Sequence, residues 1–189
     1  MCDQHYEADL DGYLRSTGMT RRRFGALGVA MGLMAVLPRA ANALDVSESD
    51  VEVRTPDGVA DCYFVHPASG AYAGVLVWPD ALGLRPAFRR MGRRLAESGY
   101  AVLVVNPYYR QQRAPVIPDG ATFAEQSTRD VVMPLYQSLD ARTHVTDAKA
   151  FVAWLDAQAP VDSRRKLGTM GYCMGGPIPM RTAAALPVE

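Results

Sequence analysis

The stretch Lys166-Leu-Gly-Thr-Met-Gly-Tyr-Cys-Met-Gly-Gly-Pro177 decides the fold predicted for this chain. It predicts a short buried strand, a sharp turn that carries Cys173, and the start of a helix. Gly171 to Gly175 match the pattern Gly-x-nucleophile-x-Gly of a nucleophile elbow, with Cys in place of the usual Ser. Glycine is required at both ends of this pattern because a Cβ there would clash where strand and helix pack closely. Pro177 is tolerated in the first turn of the helix, where its missing N–H costs nothing.

The predicted position of Cys173 suits a thiol nucleophile. Free amides and the helix dipole at a helix N-terminus favour negative charge, and therefore favour the thiolate. The amide of Met174 would point at the oxygen of a tetrahedral intermediate and form half of an oxyanion hole. The alternative is a buried structural Cys in a glycine-rich turn, and Gly-x-Cys-x-Gly alone does not decide between the two. The neighbouring segments favour the nucleophile.

The composition predicts a globular protein with one folded domain. The chain has 189 residues, of which 49% are hydrophobic and 21% are charged, and its formal net charge is zero. A net charge of zero gives no electrostatic footprint for nucleic acid, so no nucleic-acid partner is predicted. The cysteines and histidines show no metal-ligand spacing, and we predict neither a metal nor another cofactor.

Residues 1–43 are predicted to be a twin-arginine export signal rather than part of the fold. Thr20-Arg-Arg-Arg-Phe24 is a twin-arginine pattern, an apolar run follows from Gly25 to Leu37, and Ala41-Asn-Ala43 is a cleavage site. An uncleaved amphipathic anchor or a chance arginine cluster is the alternative. We expect a mature N-terminus at Leu44, contact with the twin-arginine translocase during export, and a periplasmic or secreted location. The apolar run is too short for a stable membrane span.

Residues 44–189 contain the elements of an α/β domain. Gly74-Val-Leu-Val-Trp78 and Tyr100-Ala-Val-Leu-Val-Val105 are apolar runs typical of strands buried on both faces. Arg85 to Ser98 lies between them and has the apolar spacing of a helix. Together they predict a βαβ unit and therefore a parallel sheet. The helix also carries five arginines, which predict either an anion patch or, more simply, a solvated face.

The flanking segments complete the prediction. Val51-Glu-Val-Arg54 and Val59–Val65 are predicted strands joined by the turn Pro56-Asp-Gly58. Asn106 to Asp140 is proline-rich and is predicted to be irregular, either a binding loop after a strand or a mere insertion. A second helix is predicted over Thr143 to Gln158.

With these elements placed, the chain resembles the dienelactone hydrolase family of the α/β-hydrolase fold, from about Ala73 to Leu186. Most relatives in the wider fold carry Ser at the nucleophile position, so the elbow with Cys is the specific part of the match. The resemblance implies a mainly parallel sheet with helices on both faces. The matching segments are Val75-Leu-Val-Trp-Pro-Asp-Ala-Leu-Gly83, Leu95-Ala-Glu-Ser-Gly-Tyr100, Asn106-Pro-Tyr-Tyr-Arg110 and Gly171-Tyr-Cys-Met-Gly-Gly176.

The resemblance also implies roles for five residues. Cys173 would be the nucleophile that hydrolyses a small ester or lactone through an acyl-enzyme. The amides of Met174 and Ala81 would form the oxyanion hole, and Arg110 would hold a carboxylate of the substrate. Asp80 is a candidate partner of the thiol, because it stands where the family usually has a Glu that contacts the nucleophile; Asp is one methylene shorter.

The catalytic triad cannot be completed from this sequence. In this fold the acid and the histidine follow the nucleophile along the chain, but no Asp or His follows Cys173, and His66 and His144 precede it. We therefore expect an N-terminal fragment of a longer enzyme, with the last strands missing and the elbow strand left as an exposed hydrophobic edge. A degenerate, inactive protein is the alternative. Residues 1–189 alone are expected to fold poorly and to lack hydrolase activity.

Two further functions stay open. A glutamine amidotransferase also carries a Cys on an elbow, but such domains resemble Gly-x-Cys-x-Gly-x-Gln, and Pro177 occupies the Gln position. A non-catalytic periplasmic pseudo-hydrolase would hold a small organic acid beside Arg110 and turn nothing over.

Overall fold

The structure is a computed structural model that describes residues 43–186, and the described residues from Leu44 onward belong to one compact unit. The predicted export signal, up to Asn42, lies outside the described residues. No helix in the described range has the length and apolarity needed to cross a membrane. The strands are β1 (Val46–Thr55), β2 (Gly58–Pro67), β3 (Gly74–Trp78), β4 (Ala101–Val105) and β5 (Gly168–Gly171), and the helices are α1 (Pro86–Glu97), α2 (Gln126–Gln137), α3 (Ala141–Asp156) and α4 (Pro177–Ala185).

The strands form one mixed sheet in the order β1-β2-β4-β3-β5. β3 runs parallel to β4 and to β5, which confirms the predicted βαβ unit β3–α1–β4. The pairs β1–β2 and β2–β4 are antiparallel, so the N-terminal hairpin makes the sheet mixed. In the described residues, the elbow strand β5 lies at one edge of the sheet. The prediction that this strand is buried was wrong: its residues are exposed or half-buried, because only β3 pairs with it.

Helices cover both faces of the sheet, as predicted. Because side chains of a strand alternate between its faces, neighbouring residues of β3 and β4 belong to two separate clusters. On one face α1 packs through Phe88 and Ala96 onto Val77 and Val104. On the other face the cluster joins β3 and β4 to α3 and α4, with Leu76, Leu103, Phe151, Leu155 and Ile178 all buried.

The segment that was expected to be irregular contains a helix. α2 buries Val132 and Leu135 against the chain that follows β4. Pro134 lies inside this helix, and a proline within a helix removes a backbone hydrogen bond. Because of this proline, the sequence pattern does not predict the helix.

β1 also begins earlier than predicted. It pairs with β2 from Val46, opposite Pro67, rather than from Val51. Its first five residues are mostly exposed, so they carry no alternation of apolar and polar side chains. The tight turn at Pro56 and Asp57 is confirmed, since Thr55 pairs with Gly58.

Candidate active site

Cys173 lies on a strained turn directly after the edge strand. Its φ is 52°, and no other non-glycine residue in the described range has a positive φ. Its side chain is exposed. A non-glycine residue in this region is held there against its own preference, which is typical of functional sites. Cys173 is the first residue of a single turn of 3-10 helix, Cys173–Gly175, and α4 begins only at Pro177.

The two glycines of the elbow are required by close backbone contacts. A Cβ on Gly175 would lie 2.5 Å from the carbonyl oxygen of Pro79 and 2.7 Å from that of Trp78. A Cβ on Gly171 would collide with the carbonyl group of Gly175. The strand and the turn can therefore approach each other only without side chains at these positions. The predicted reason for the Gly-x-Cys-x-Gly pattern is confirmed.

The sheet places three loops next to each other around Cys173. Because β4, β3 and β5 are parallel neighbours, the loops that follow them all begin at the carboxyl-terminal ends of the strands. Trp78 at the end of β3 pairs with Gly171 at the end of β5, and the amide of Tyr172 donates to the Trp78 carbonyl at 3.3 Å. Binding sites of open α/β sheets lie at these carboxyl-terminal ends.

Within residues 43–186, the amides of Ala81 and Met174 donate no hydrogen bond. By contrast, the amides of the neighbouring residues Leu82 and Gly175 are bonded. The Asp80 carbonyl accepts from Gly83 at 2.9 Å, and the Cys173 carbonyl accepts from Gly176 at 2.9 Å. Since a trans peptide points its C=O and N–H in opposite directions, these two bonds fix the direction of the Ala81 and Met174 amides.

Tyr108, in the loop after β4, connects the two loops that carry these amides. Its hydroxyl donates to the Ala81 carbonyl at 2.9 Å and lies 3.0 Å from Met174 Sδ. The residue is 1% exposed, and burial, followed by the charge of Asp80, raises the pKa of its hydroxyl. Tyr108 therefore stays a donor. Sequence reasoning did not single it out, because both of its partners lie on loops distant in sequence.

Asp80 is held by an arginine and not by the thiol. Its carboxylate accepts two hydrogen bonds from Arg85, at 2.6 and 2.8 Å, and a third from the amide of Leu82 at 3.0 Å. Within the described chain the structure does not bring the carboxylate into hydrogen-bonding contact with Cys173. The predicted thiol partner instead stabilises the loop that carries Ala81.

Arg110 is also held by carboxylates of the protein. It donates to both oxygens of Asp147, at 2.6 and 2.9 Å, and to Asp57 in the β1–β2 turn at 2.7 Å. The side chain of Asp147 is 2% exposed and that of Asp57 is 30% exposed. The guanidinium thus points toward β1 and β2, whereas Cys173 follows β5 at the opposite side of the sheet. The binding of a substrate carboxylate by Arg110 stays a prediction.

Neither described histidine contacts Cys173. His66 Nδ1 lies 2.8 Å from the Pro67 carbonyl. His144 is 7% exposed, and its Nδ1 lies 2.8 Å from the guanidinium of Arg181, which donates to it. Burial, and secondly the charge of Arg181, lower the pKa of His144 to about 4. Both histidines are bonded to groups remote from Cys173.

Asn106, to which the sequence assigned no role, organises the turn that carries Tyr108. It is fully buried. Its side-chain amide donates to Asp61 and to the Gln112 carbonyl, each at 2.9 Å, and its side-chain oxygen accepts from the amide of Tyr108 at 3.0 Å. A buried amide with three satisfied bonds fixes the backbone around it.

A parallel core, helices on both faces and an exposed Cys on a glycine-flanked elbow define an α/β-hydrolase fold. Residues 60–189 match the model of the dienelactone hydrolase family. The chain belongs to that family.

Similar proteins agree with this assignment. A Methylorubrum extorquens protein, whose name assigns it provisionally as a carboxymethylenebutenolidase, is 30% identical over 190 residues, covering 96% of this chain and 62% of that protein. Carboxymethylenebutenolidase of Rhodococcus opacus is 28% identical over 136 residues, covering 71% of this chain and 48% of that protein. The chain thus spans about half to three-fifths of the length of these relatives.

Solved structures show the same fold. A crystal structure from Klebsiella pneumoniae, titled provisionally as a dienelactone hydrolase, aligns with a TM-score of 0.62 at 21% identity, covering 76% of this chain and 56% of that one. A dienelactone hydrolase-like promiscuous phosphotriesterase from metagenomic libraries aligns with a TM-score of 0.57 at 25% identity, covering 73% and 54%.

Proposed function

We propose that the protein hydrolyses small esters or lactones, and that Cys173 forms the acyl-enzyme. One observation carries this proposal: the exposed Cys173 stands at a positive φ, and the amides of Ala81 and Met174, on the loops after β3 and β5, donate to no acceptor within the described residues. An oxyanion hole requires such preorganised donors. Membership of the dienelactone hydrolase family supports the same chemistry.

The proposed reaction has two stages. The sulfur of Cys173 attacks the acyl carbon, and the carbonyl oxygen becomes an oxyanion that accepts from the amides of Ala81 and Met174. The carbon–oxygen bond to the leaving alcohol then breaks and leaves a thioester on the sulfur. Water attacks the thioester through a second oxyanion, releases the acid and restores the thiol.

Both stages need a base, first for the thiol and then for the water. His66 and His144 are held elsewhere, so we propose that the base and its acid partner come from outside the described residues. The order of the triad in this fold supports that view. Residues 1–189 alone should then show no steady turnover. Steady hydrolysis of a p-nitrophenyl ester by these residues, abolished by Cys173→Ala, would contradict the proposal.

We propose further that the substrate carries a carboxylate which Arg110 receives. Of the two partners of Arg110, Asp147 is almost completely buried, while Asp57 lies at the surface. A substrate carboxylate could therefore replace Asp57 and leave the buried pair intact. We also propose export to the periplasm or the medium, which the twin-arginine pattern supports.

A non-catalytic binding protein is the second candidate. It is favoured by one observation, namely that no histidine in the described range contacts Cys173. Binding of an organic acid that survives Cys173→Ser, without acylation or turnover in any variant, would support it.

The test of the proposed function uses the two cysteines of the described domain. Alkylation of Cys173 by iodoacetamide should block turnover of p-nitrophenyl acetate in the whole protein. Cys62 is the matched control, because it is 1% exposed and burial raises the pKa of its thiol. Cys62→Ala should therefore keep the activity and its sensitivity to iodoacetamide, whereas Cys173→Ala should lose the activity. Full activity after complete alkylation of Cys173 would contradict the proposal.

A further inference from the structure

We propose that Tyr108 is a positioning residue that holds the two halves of the oxyanion hole in register. The inference rests on the proposed function of Cys173 and adds a residue to that site. Tyr108 touches neither the thiol nor any group at which chemistry is proposed; it acts through Ala81 and Met174, the residues that supply the two amides.

The contacts of the Tyr108 hydroxyl carry the inference. Ala81 follows β3 and Met174 follows β5, so the two amides belong to separate loops. The hydroxyl donates to the Ala81 carbonyl at 2.9 Å and lies 3.0 Å from the sulfur of Met174. One side chain thus contacts both residues, and it comes from a third loop, after β4. An oxyanion hole works only while its donors keep a fixed distance from each other.

The ring of Tyr108 is anchored firmly enough to act as a reference point. It is buried in a cluster with Val116, Ile117, Val132 and Leu135. Its backbone amide is bonded to the side chain of the buried Asn106. Because its ring is packed and its backbone amide is bonded, Tyr108 has little freedom to move. Its hydroxyl therefore holds the loops that it contacts in place.

The bonds around Ala81 show what the hydroxyl adds. The peptide before Ala81 is fixed by the bond from the amide of Gly83 to the carbonyl of Asp80, at 2.9 Å. The peptide after Ala81 has two bonds: the amide of Leu82 donates to Asp80 within the same loop at 3.0 Å, and the Ala81 carbonyl accepts from the Tyr108 hydroxyl at 2.9 Å. Without the hydroxyl, this peptide keeps only the bond within its own loop and loses its connection to the loop that carries Met174.

The alternative is that Tyr108 only fills space in its cluster. Two reagents separate these roles, because both react with Cys173 but only one forms an oxyanion. p-Nitrophenyl acetate acylates the sulfur through a tetrahedral oxyanion, whereas iodoacetamide alkylates it by direct displacement of iodide. A positioning role should appear only with the ester. A loss of packing should change the thiol's exposure and affect both reagents.

The experiment uses the whole protein and measures the rate of a single acylation and of alkylation of Cys173 in Tyr108→Phe. Tyr63→Phe is the matched control, since it removes the hydroxyl of another buried tyrosine, which is bonded to Glu48 and remote from the elbow. We expect acylation to slow about tenfold in Tyr108→Phe, with alkylation within about twofold of the wild type. Tyr63→Phe should change neither rate.

Three results would overturn the inference. Unchanged acylation in Tyr108→Phe would show that the hydroxyl holds nothing. A parallel fall in acylation and alkylation would assign Tyr108 to packing alone. If the wild type is alkylated but never acylated at Cys173, the proposed function fails and the inference falls with it. Should Tyr108→Phe not fold, Met174→Leu decides the question: slower acylation with normal alkylation supports the role, and unchanged acylation refutes it.

Discussion

Asp80 binds Arg85 through both carboxylate oxygens, with Nη1 of Arg85 2.6 Å from Oδ1 and Nη2 2.8 Å from Oδ2. The same carboxylate accepts from the amide of Leu82. These bonds connect the loop after β3 to the start of α1. They therefore stabilise the loop that carries the Ala81 amide. The resemblance implied a contact between this carboxylate and the thiol; in the structure the carboxylate binds Arg85 and the Leu82 amide instead.

Removing either partner of this pair should loosen the loop. We expect Asp80→Ala and Arg85→Ala each to lower the free energy of unfolding by about 1 kcal/mol, because the pair is bidentate but partly exposed. Each should slow acylation of Cys173 by p-nitrophenyl acetate, and the double variant should be no slower than either single one. If Asp80→Ala slows alkylation by iodoacetamide while Arg85→Ala changes nothing, Asp80 acts on the thiol directly.

The glycines of the elbow should tolerate no side chain. We expect Gly175→Ala to destabilise the protein by about 3 kcal/mol or more, since its Cβ would lie 2.5 Å from the Pro79 carbonyl oxygen. Gly168→Ala, in the preceding strand β5, is the control, because its Cβ would meet Val75 at an ordinary 3.5 Å. Urea unfolding measures both. Equal stability of the two variants would show that the elbow is less tightly packed than the structure indicates.

His144 should make the fold sensitive to acid. Burial and the neighbouring Arg181 lower its pKa from 6.5 in the unfolded chain to about 4 in the folded protein. Between these values the unfolded chain binds a proton that the folded protein does not bind. Stability is therefore fully present above about pH 6.5 and falls as the pH drops toward 4, by roughly 3 kcal/mol in all.

The variant His144→Asn isolates this effect. Its side-chain oxygen can still accept from Arg181, but it cannot be protonated. Free energies of unfolding measured at pH 7 and at pH 4.5 should differ less in His144→Asn than in the wild type. An equal difference in both proteins would mean that His144 is protonated in the folded state.

Releasing Arg110 from its exposed partner should reveal its role. Asp57→Asn removes the carboxylate in the β1–β2 turn and leaves the buried pair with Asp147 in place. If Arg110 receives a substrate carboxylate, this variant should acylate faster with p-nitrophenyl hemisuccinate and at an unchanged rate with the neutral p-nitrophenyl butyrate. An unchanged ratio of the two rates would assign Arg110 to stability alone.

The sequence predicts the centre of the fold better than its margins. The strands β3 and β4, the helix between them and the elbow are visible because apolar runs and glycine spacing are local signals. α2 was missed because Pro134 lies within it, and the start of β1 because its first residues face solvent. The local sequence pattern does not predict an element whose burial or pairing depends on residues distant in the sequence.

The same limit applies to the candidate site. Cys173 and its two glycines could be predicted because the elbow is a continuous stretch with its own backbone demands. Other contacts depend on how the loops meet at the carboxyl-terminal ends of the strands. They are the pairs Asp80–Arg85 and Arg110–Asp147 and the contacts of Tyr108 with two loops. Such contacts follow from the topology, which one sequence does not show in atomic detail.

The most direct measurement is to identify the atom that carries the acyl group. The whole protein is mixed with p-nitrophenyl acetate, quenched in acid during the first turnover, before the thioester is hydrolysed, and then digested and sequenced by mass spectrometry. We predict one acetyl group, bound as a thioester to Cys173, labile to hydroxylamine and absent in Cys173→Ala. An acetyl group on any other residue, or equal labelling of Cys173→Ala, would contradict the account.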